Sequence, residues 1–182
     1  MVAITLAGGL ALWFLKRSKD REALKLRYFT KKEFGAYWPL LSVDLLRKLD
    51  EFRHRLGYQV AISQADGAIG RPIIGRDDPQ AESGAESSYH NYLIYGEIMA
   101  LDLMPKPPGG ATPSERQRWV DVARQVGFTG IGLYPDWRPR PGVHLDIRPA
   151  DKLRPGQQFA SWAGVKNSKG KQIYTSIEAG MT

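Results

Sequence analysis

The feature that most constrains this chain is a pair of alternating segments. In MALDLM, residues 99–104, Met99, Leu101 and Leu103 alternate with Ala100 and Asp102; in VHLDIR, residues 143–148, Val143, Leu145 and Ile147 alternate with His144, Asp146 and Arg148. Successive side chains of a strand point to opposite faces, so each segment is predicted to be a strand with one apolar and one polar face. A face that gathers His144, Asp146 and Arg148 suits metal or proton handling better than packing. Between the two segments lies TPSERQRWVDVARQVG. Thr112 is expected at the N-cap, Pro113 at N1 and Glu115 at N3 as a capping box, with Trp119, Val120, Val122, Ala123 and Val126 as the apolar face and Gly127 as the stop.

Other elements follow from the same signals. Ser42 opens an amphipathic helix carrying Val43, Leu45, Leu46, Leu49, Phe52 and Leu56, closed by Gly57. His54 falls on its polar face and is expected to be solvated. YQVAIS (58–63), FTGIGLY (128–134) and QIYTSI (172–177) read as strands, and the Gly-, Asp-, Pro- and Ser-rich stretch up to Ser88 reads as a long loop.

The chain has 182 residues, 42% of them apolar, which fits one packed domain and excludes disorder, collagen and long coiled coils. It has no cysteine, so any metal must be held by His and carboxylates, and a cysteine nucleophile is excluded. The net charge is +7, but it is concentrated: eight Lys and Arg stand between Lys16 and Lys32 against Asp20 and Glu22. This block directly follows VAITLAGGLALWFL, 14 uncharged residues at positions 2–15. As a helix that run would span about 21 Å, short for a hydrocarbon core of about 30 Å, with Trp13, Lys16 and Arg17 extending it to the interface. A short anchor next to an anionic lipid surface is expected, with a buried core helix as the other reading, and no nucleic acid partner is expected. By the positive-inside rule the following domain would face the cytoplasm.

On residue types alone, His90 (in SSYHN), Asp102 and His144 form a set that a catalytic zinc can use, three protein ligands with a fourth position for water. An exposed His90 and a His144 paired only with Asp146 fit the same spacing.

The residues SSYH with ALDL, then GIGLYP, then GVHLDIRP resemble the motifs of the zinc D-alanyl-D-alanine carboxypeptidases and related peptidoglycan endopeptidases, whose fold is shared with the hedgehog signalling domain. Ser88, His90, Ala100 and Asp102 match S-x-H-x-x-G-x-A-x-D; Gly130, Gly132, Tyr134 and Pro135 match the second motif; His144 and Asp146 match H-x-D. FASWAGV, with Trp162, is similar to the segment after the family's final strand. NYLIYGEIM makes the interval from His90 to Asp102 longer than the pattern's, which implies an insertion. Pro141 stands where several relatives carry the catalytic acid.

The resemblance implies an α+β domain, a small antiparallel sheet flanked by helices with a metal cleft on its polar face, preceded by an N-terminal membrane helix. The organisation expected is an anchor over 1–15, a basic stalk over 16–34 and a zinc peptidase-like domain over 35–182. The implied activity is zinc-dependent hydrolysis of a peptide bond in the peptidoglycan stem, with His90, Asp102 and His144 as ligands. Asp146 is the expected base, with Asp136 and then Glu97 behind it. Arg71 is the candidate grip on a substrate carboxylate; Tyr134 and Arg148 are further substrate contacts, Tyr134 fitting a packing role equally well. A non-catalytic hedgehog-like binding module and a basic membrane-surface adaptor are the rival readings. Peptidoglycan lies outside the membrane while the basic block favours a cytoplasmic domain, so the expectation is a membrane-held enzyme of a cell envelope or virion, kept from its substrate until lysis or entry.

Overall fold

The computed structural model describes residues 19–72 and 88–182. The apolar run at 2–15 and most of the loop expected before Ser88 lie outside them. Among the described residues no helix is long and apolar enough to cross a membrane.

Besides a helical stretch at 19–22, the main elements among the described residues are α1 (Lys31–Phe34), α2 (Val43–Leu56), β1 (Val60–Ile62), α3 (Tyr92–Tyr95), β2 (Ala100–Pro105), α4 (Pro113–Val126), β3 (Gly130–Tyr134), β4 (Gly142–Asp146), β5 (Ala160–Lys166) and β6 (Gln172–Thr175). Leu45, Leu46, Leu49, Phe52 and Leu56 recur at helical spacing and are all buried, giving α2 one apolar face. Gly57 ends it at φ 73°, a left-handed position that glycine reaches without a Cβ penalty, and its N–H returns to the Arg53 and His54 carbonyls. Ser42 holds the N-cap backbone position, but its hydroxyl makes no capping bond. In α4, Thr112 Oγ1 does accept from Glu115 N at 3.2 Å. The Glu115 carboxylate is drawn elsewhere, accepting from Tyr58 Oη at 2.6 Å. His54 lies on the exposed face of α2, where its Nδ1 meets Tyr28 Oη at 2.8 Å.

The stretch expected as a stalk contributes to the packed domain. Phe29 and Phe34 are buried in the core, and Arg27 pairs with Asp50 and Glu51 of α2, each at 2.8 Å. Two aromatic side chains in an otherwise charged segment gain more from burial than from solvent, so packing extends N-terminal to residue 35.

The strands form one sheet in the order β1-β2-β4-β3-β5-β6. The α+β class agrees with expectation, but the sheet is mixed: every pairing is antiparallel except β3 with β5. After β4 the chain reverses as for an antiparallel neighbour, yet passes β3 and lands on its far side, so β5 runs along β3. β4 lies between β2 and β3, which are joined through α4 and run in the same direction.

One sheet face, with Leu101, Leu103, Ile131, Leu133, Val143, Leu145 and Ala163, shares a single core with the apolar residues of α2 and α4. The strand register lines up the other face in rows. Asp102, His144, Gly132 and Trp162 are neighbours across β2, β4, β3 and β5, and Ala100, Asp146, Gly130 and Ala160 form the next row. The period-two reading of β2 and β4 is therefore observed, and the register sets Asp102 directly beside His144.

Candidate metal centre

His90, Asp102 and His144 are buried, and one ligand atom from each lies within 4.8 Å of the others. Asp102 and His144 come from paired strands. His90 comes from the turn before α3, whose first helical residues are capped by the Asn91 side chain accepting from Leu93 N at 3.2 Å. The residues between His90 and β2 form a single turn of helix and return the chain to the sheet, with Met99 N donating to Tyr89 O at 2.9 Å.

The hydrogen bonds around the two imidazoles orient them. His90 Nδ1 lies 3.1 Å from the Ile69 carbonyl, which can only accept, so Nδ1 carries a proton and, in the neutral ring, Nε2 presents its lone pair. His144 Nε2 lies 3.1 Å from Asp146 Oδ2, leaving Nδ1 free to face inward. His90 Nε2 and His144 Nδ1 are 3.1 Å apart, and Asp102 Oδ1 is 2.9 Å from His144 Nδ1 and 3.4 Å from His90 Nε2. With both rings neutral, three electron-rich atoms converge, and only a cation can hold them together: a proton or a metal ion. The donor set, two imidazoles and a carboxylate with their outer nitrogens already committed, fits a divalent metal.

The electrostatics agree with a cation site. Burial disfavours a charged His144, but the hydrogen bonds it donates to the Asp102 and Asp146 carboxylates outweigh it and raise its pKa to about 9. Burial likewise opposes ionisation of Asp102, yet His90 and His144 hold its carboxyl well below the usual carboxylate range.

Glycines make room for this face. A Cβ on Gly130 would overlap the Asp146 carboxylate, one on Gly132 the indole of Trp162, and one on Gly164 the ring of Tyr134. Trp162 therefore lies over Gly132 beside His144, the ring centroids 5.3 Å apart.

The remaining expected residues fall in different places. Asp146 is fully buried and accepts from Arg148 as well as His144, so it does not stand open to a water molecule as a base would. Asp136 is not brought to the cluster; it sits on the turn after β3 and accepts from Lys166 N at 2.7 Å. Glu97 is buried just before β2. Arg71 adjoins His90 through its backbone, its N–H donating to His90 O at 3.0 Å, while its Nε donates to Gly67 O at 3.1 Å. Tyr134 behaves as a packing residue, stacked on Trp137 at 4.1 Å and accepting from Trp162 Nε1 at 3.0 Å. Burial pushes its phenol above the ordinary value. Arg148 spends Nε and Nη2 on Asp146 and lies between the Tyr89 and Trp162 rings at 5.1 and 5.2 Å.

Sequence reasoning missed Ile69 and Tyr89. The first acts through its backbone carbonyl, which no side-chain pattern reveals; the second is an ordinary aromatic until the fold brings Arg148 over it.

No protein-family model matches the chain, and neither a curated protein nor a solved structure matches it. The fold and site alone define a mixed α+β domain with a buried His-Asp-His group that can hold a metal ion.

Proposed function

We propose that the protein is a zinc-dependent hydrolase acting on a peptide bond of the peptidoglycan stem. The observation that carries the metal part is the convergence of His90 Nε2, His144 Nδ1 and Asp102 Oδ1, with each imidazole's other nitrogen engaged by Ile69 O or Asp146. These three residues would hold the ion and leave a position for water or substrate. Zinc bound there supplies Lewis-acid activation of a carbonyl and of water near neutral pH. Trp162 stands beside His144, the ring centroids 5.3 Å apart. The substrate class rests on the resemblance of the His90–Asp102, Gly130–Pro135 and His144–Asp146 motifs to the peptidoglycan peptidases.

The test is release of free amino groups from purified peptidoglycan by the full chain. Activity that is lost with a chelator, restored by zinc and abolished in His90→Ala supports the reading. A zinc-loaded protein that leaves peptidoglycan and its stem peptides intact would refute it. That outcome would favour a metal-stabilised binding module, a reading to which the exposed Leu93 and Ile94 on α3, next to His90, lend support.

Attachment to a membrane through residues 1–15 belongs to the same proposal and rests on the uncharged run and the basic block behind it. Protease protection of a C-terminal tag in spheroplasts tests the resting topology: a protected tag is expected, and digestion from outside without lysis would reverse the orientation.

A further inference from the structure

We infer that Asp146 and Arg148 act as a positioning pair for His144, fixing which ring nitrogen faces the metal and keeping the Asp146 carboxylate out of the coordination sphere. The inference rests on the metal site proposed above.

Asp146 is an acidic group two residues from His144 on the same strand face, its Oδ2 3.1 Å from His144 Nε2. Its oxygens are already taken. Oδ1 accepts from Arg148 N at 3.0 Å and Arg148 Nε at 2.9 Å; Oδ2 accepts from Arg148 Nη2 at 2.5 Å and His144 Nε2 at 3.1 Å. A carboxylate offers about four acceptor positions, so none is left for a metal or for the proton of a water molecule.

The partner that saturates it is itself immobilised. The Arg148 guanidinium gives Asp146 a two-pronged contact of the strong, directional kind, and its faces lie against Tyr89 and Trp162. Gly130 opposite leaves room for the carboxylate where any larger residue would displace it. The consequence for His144 is geometric: Nε2–H must donate to Asp146, so Nδ1 is the nitrogen offered beside Asp102 and His90. Partners of this kind typically change metal affinity by about 10- to 100-fold when removed.

Zinc affinity of the full chain, read by competition with a chromophoric chelator, and long-range proton–nitrogen spectra of its histidines test the pair. Asp146→Ala is expected to weaken zinc binding by about 10- to 100-fold. Asp146→Asn, which keeps an oxygen for Nε2–H, is expected to recover part of that loss. Arg148→Lys, which lacks the planar fork, should weaken binding by a smaller factor. In the zinc-loaded wild type the spectra should show His144 protonated at Nε2 and bound through Nδ1, a readout that holds even where a variant does not fold. Wild-type affinity in folded Asp146→Ala, or a zinc-bound His144 Nε2, overturns the pairing while leaving the metal site standing. A wild-type chain that takes up no zinc removes both.

Discussion

His90 and His144 meet nitrogen to nitrogen, Nε2 to Nδ1 at 3.1 Å, although each ring has its other nitrogen engaged by an outside acceptor. Two imidazoles held in this way have no hydrogen bond to offer one another when both are neutral. Their approach is favourable only with a cation between them or on one of them, and Asp102 beside them deepens that requirement. The bias follows from strand register and from one backbone carbonyl.

A first consequence is a pH dependence of the metal-free protein. The His144 value is raised from 6.5 unfolded to about 9 folded, so its contribution is fully present below pH 6.5 and is lost as the pH rises through about 9. Asp102 and Asp146 are shifted the other way, burial being outweighed by the histidines and Arg148. Their contributions are present above the ordinary value of 3.8 and are lost as acid titrates the folded carboxylates. Urea denaturation with chelator at about pH 5.5 and about pH 9.5 should show a loss on the order of 1–3 kcal/mol at the higher pH. Added zinc should narrow the difference, because a metal replaces the lost proton. A midpoint that holds or rises at high pH in the metal-free protein contradicts this.

Substituting the glycine opposite Asp146 should harm both stability and metal binding. The Cβ of Gly130→Ala would overlap the Asp146 carboxylate, and forced overpacking of this kind costs about 1–3 kcal/mol. Gly109→Ala is the comparison, since a Cβ there meets nothing within 4 Å. Chemical denaturation and zinc titration of the two variants should separate them; equal behaviour would mean that the close approach at Gly130 carries no energetic weight.

A third effect lies far from the site. Tyr58 Oη donates to Glu115 and accepts from Trp119 Nε1 at 2.7 Å, and Trp119 is fully buried. Tyr58→Phe leaves a buried indole N–H without its acceptor, a loss of about 1–3 kcal/mol. Glu115→Gln keeps that acceptor in place and should lose less. A lower denaturation midpoint for Tyr58→Phe with unchanged zinc affinity is the expected result, and a drop in zinc affinity would show coupling between α4 and the site.

The polar faces of β2 and β4 were legible in the sequence because alternation is a local signal, and so were α2 and α4 with their glycine stops. The pairing of Asp102 with His144 was not, since it depends on a register that neither strand encodes alone. FASWAGV, likened by the resemblance to a segment after the final strand, is itself mostly strand β5, and nothing in it shows which neighbour it joins. The capping box at Thr112 was half right, because Tyr58, distant in sequence, competes for Glu115. Gly130 and Gly132 were visible as motif residues, but the room they leave for Asp146 and Trp162 emerges only across strands. Asp146 is the base expected from the sequence, and its enclosure by Arg148, although both lie on the same face, depends on a side-chain geometry that the sequence does not show.

The most direct measurement of the central claim is the zinc content of the full chain after exhaustive dialysis, determined by elemental analysis beside His144→Ala and Asp102→Ala. About one zinc per wild-type chain is expected, as for a site of three convergent ligands, and almost none in either variant. A wild-type chain without zinc, or variants that retain it in full, would contradict the assignment of His90, Asp102 and His144 as a metal centre.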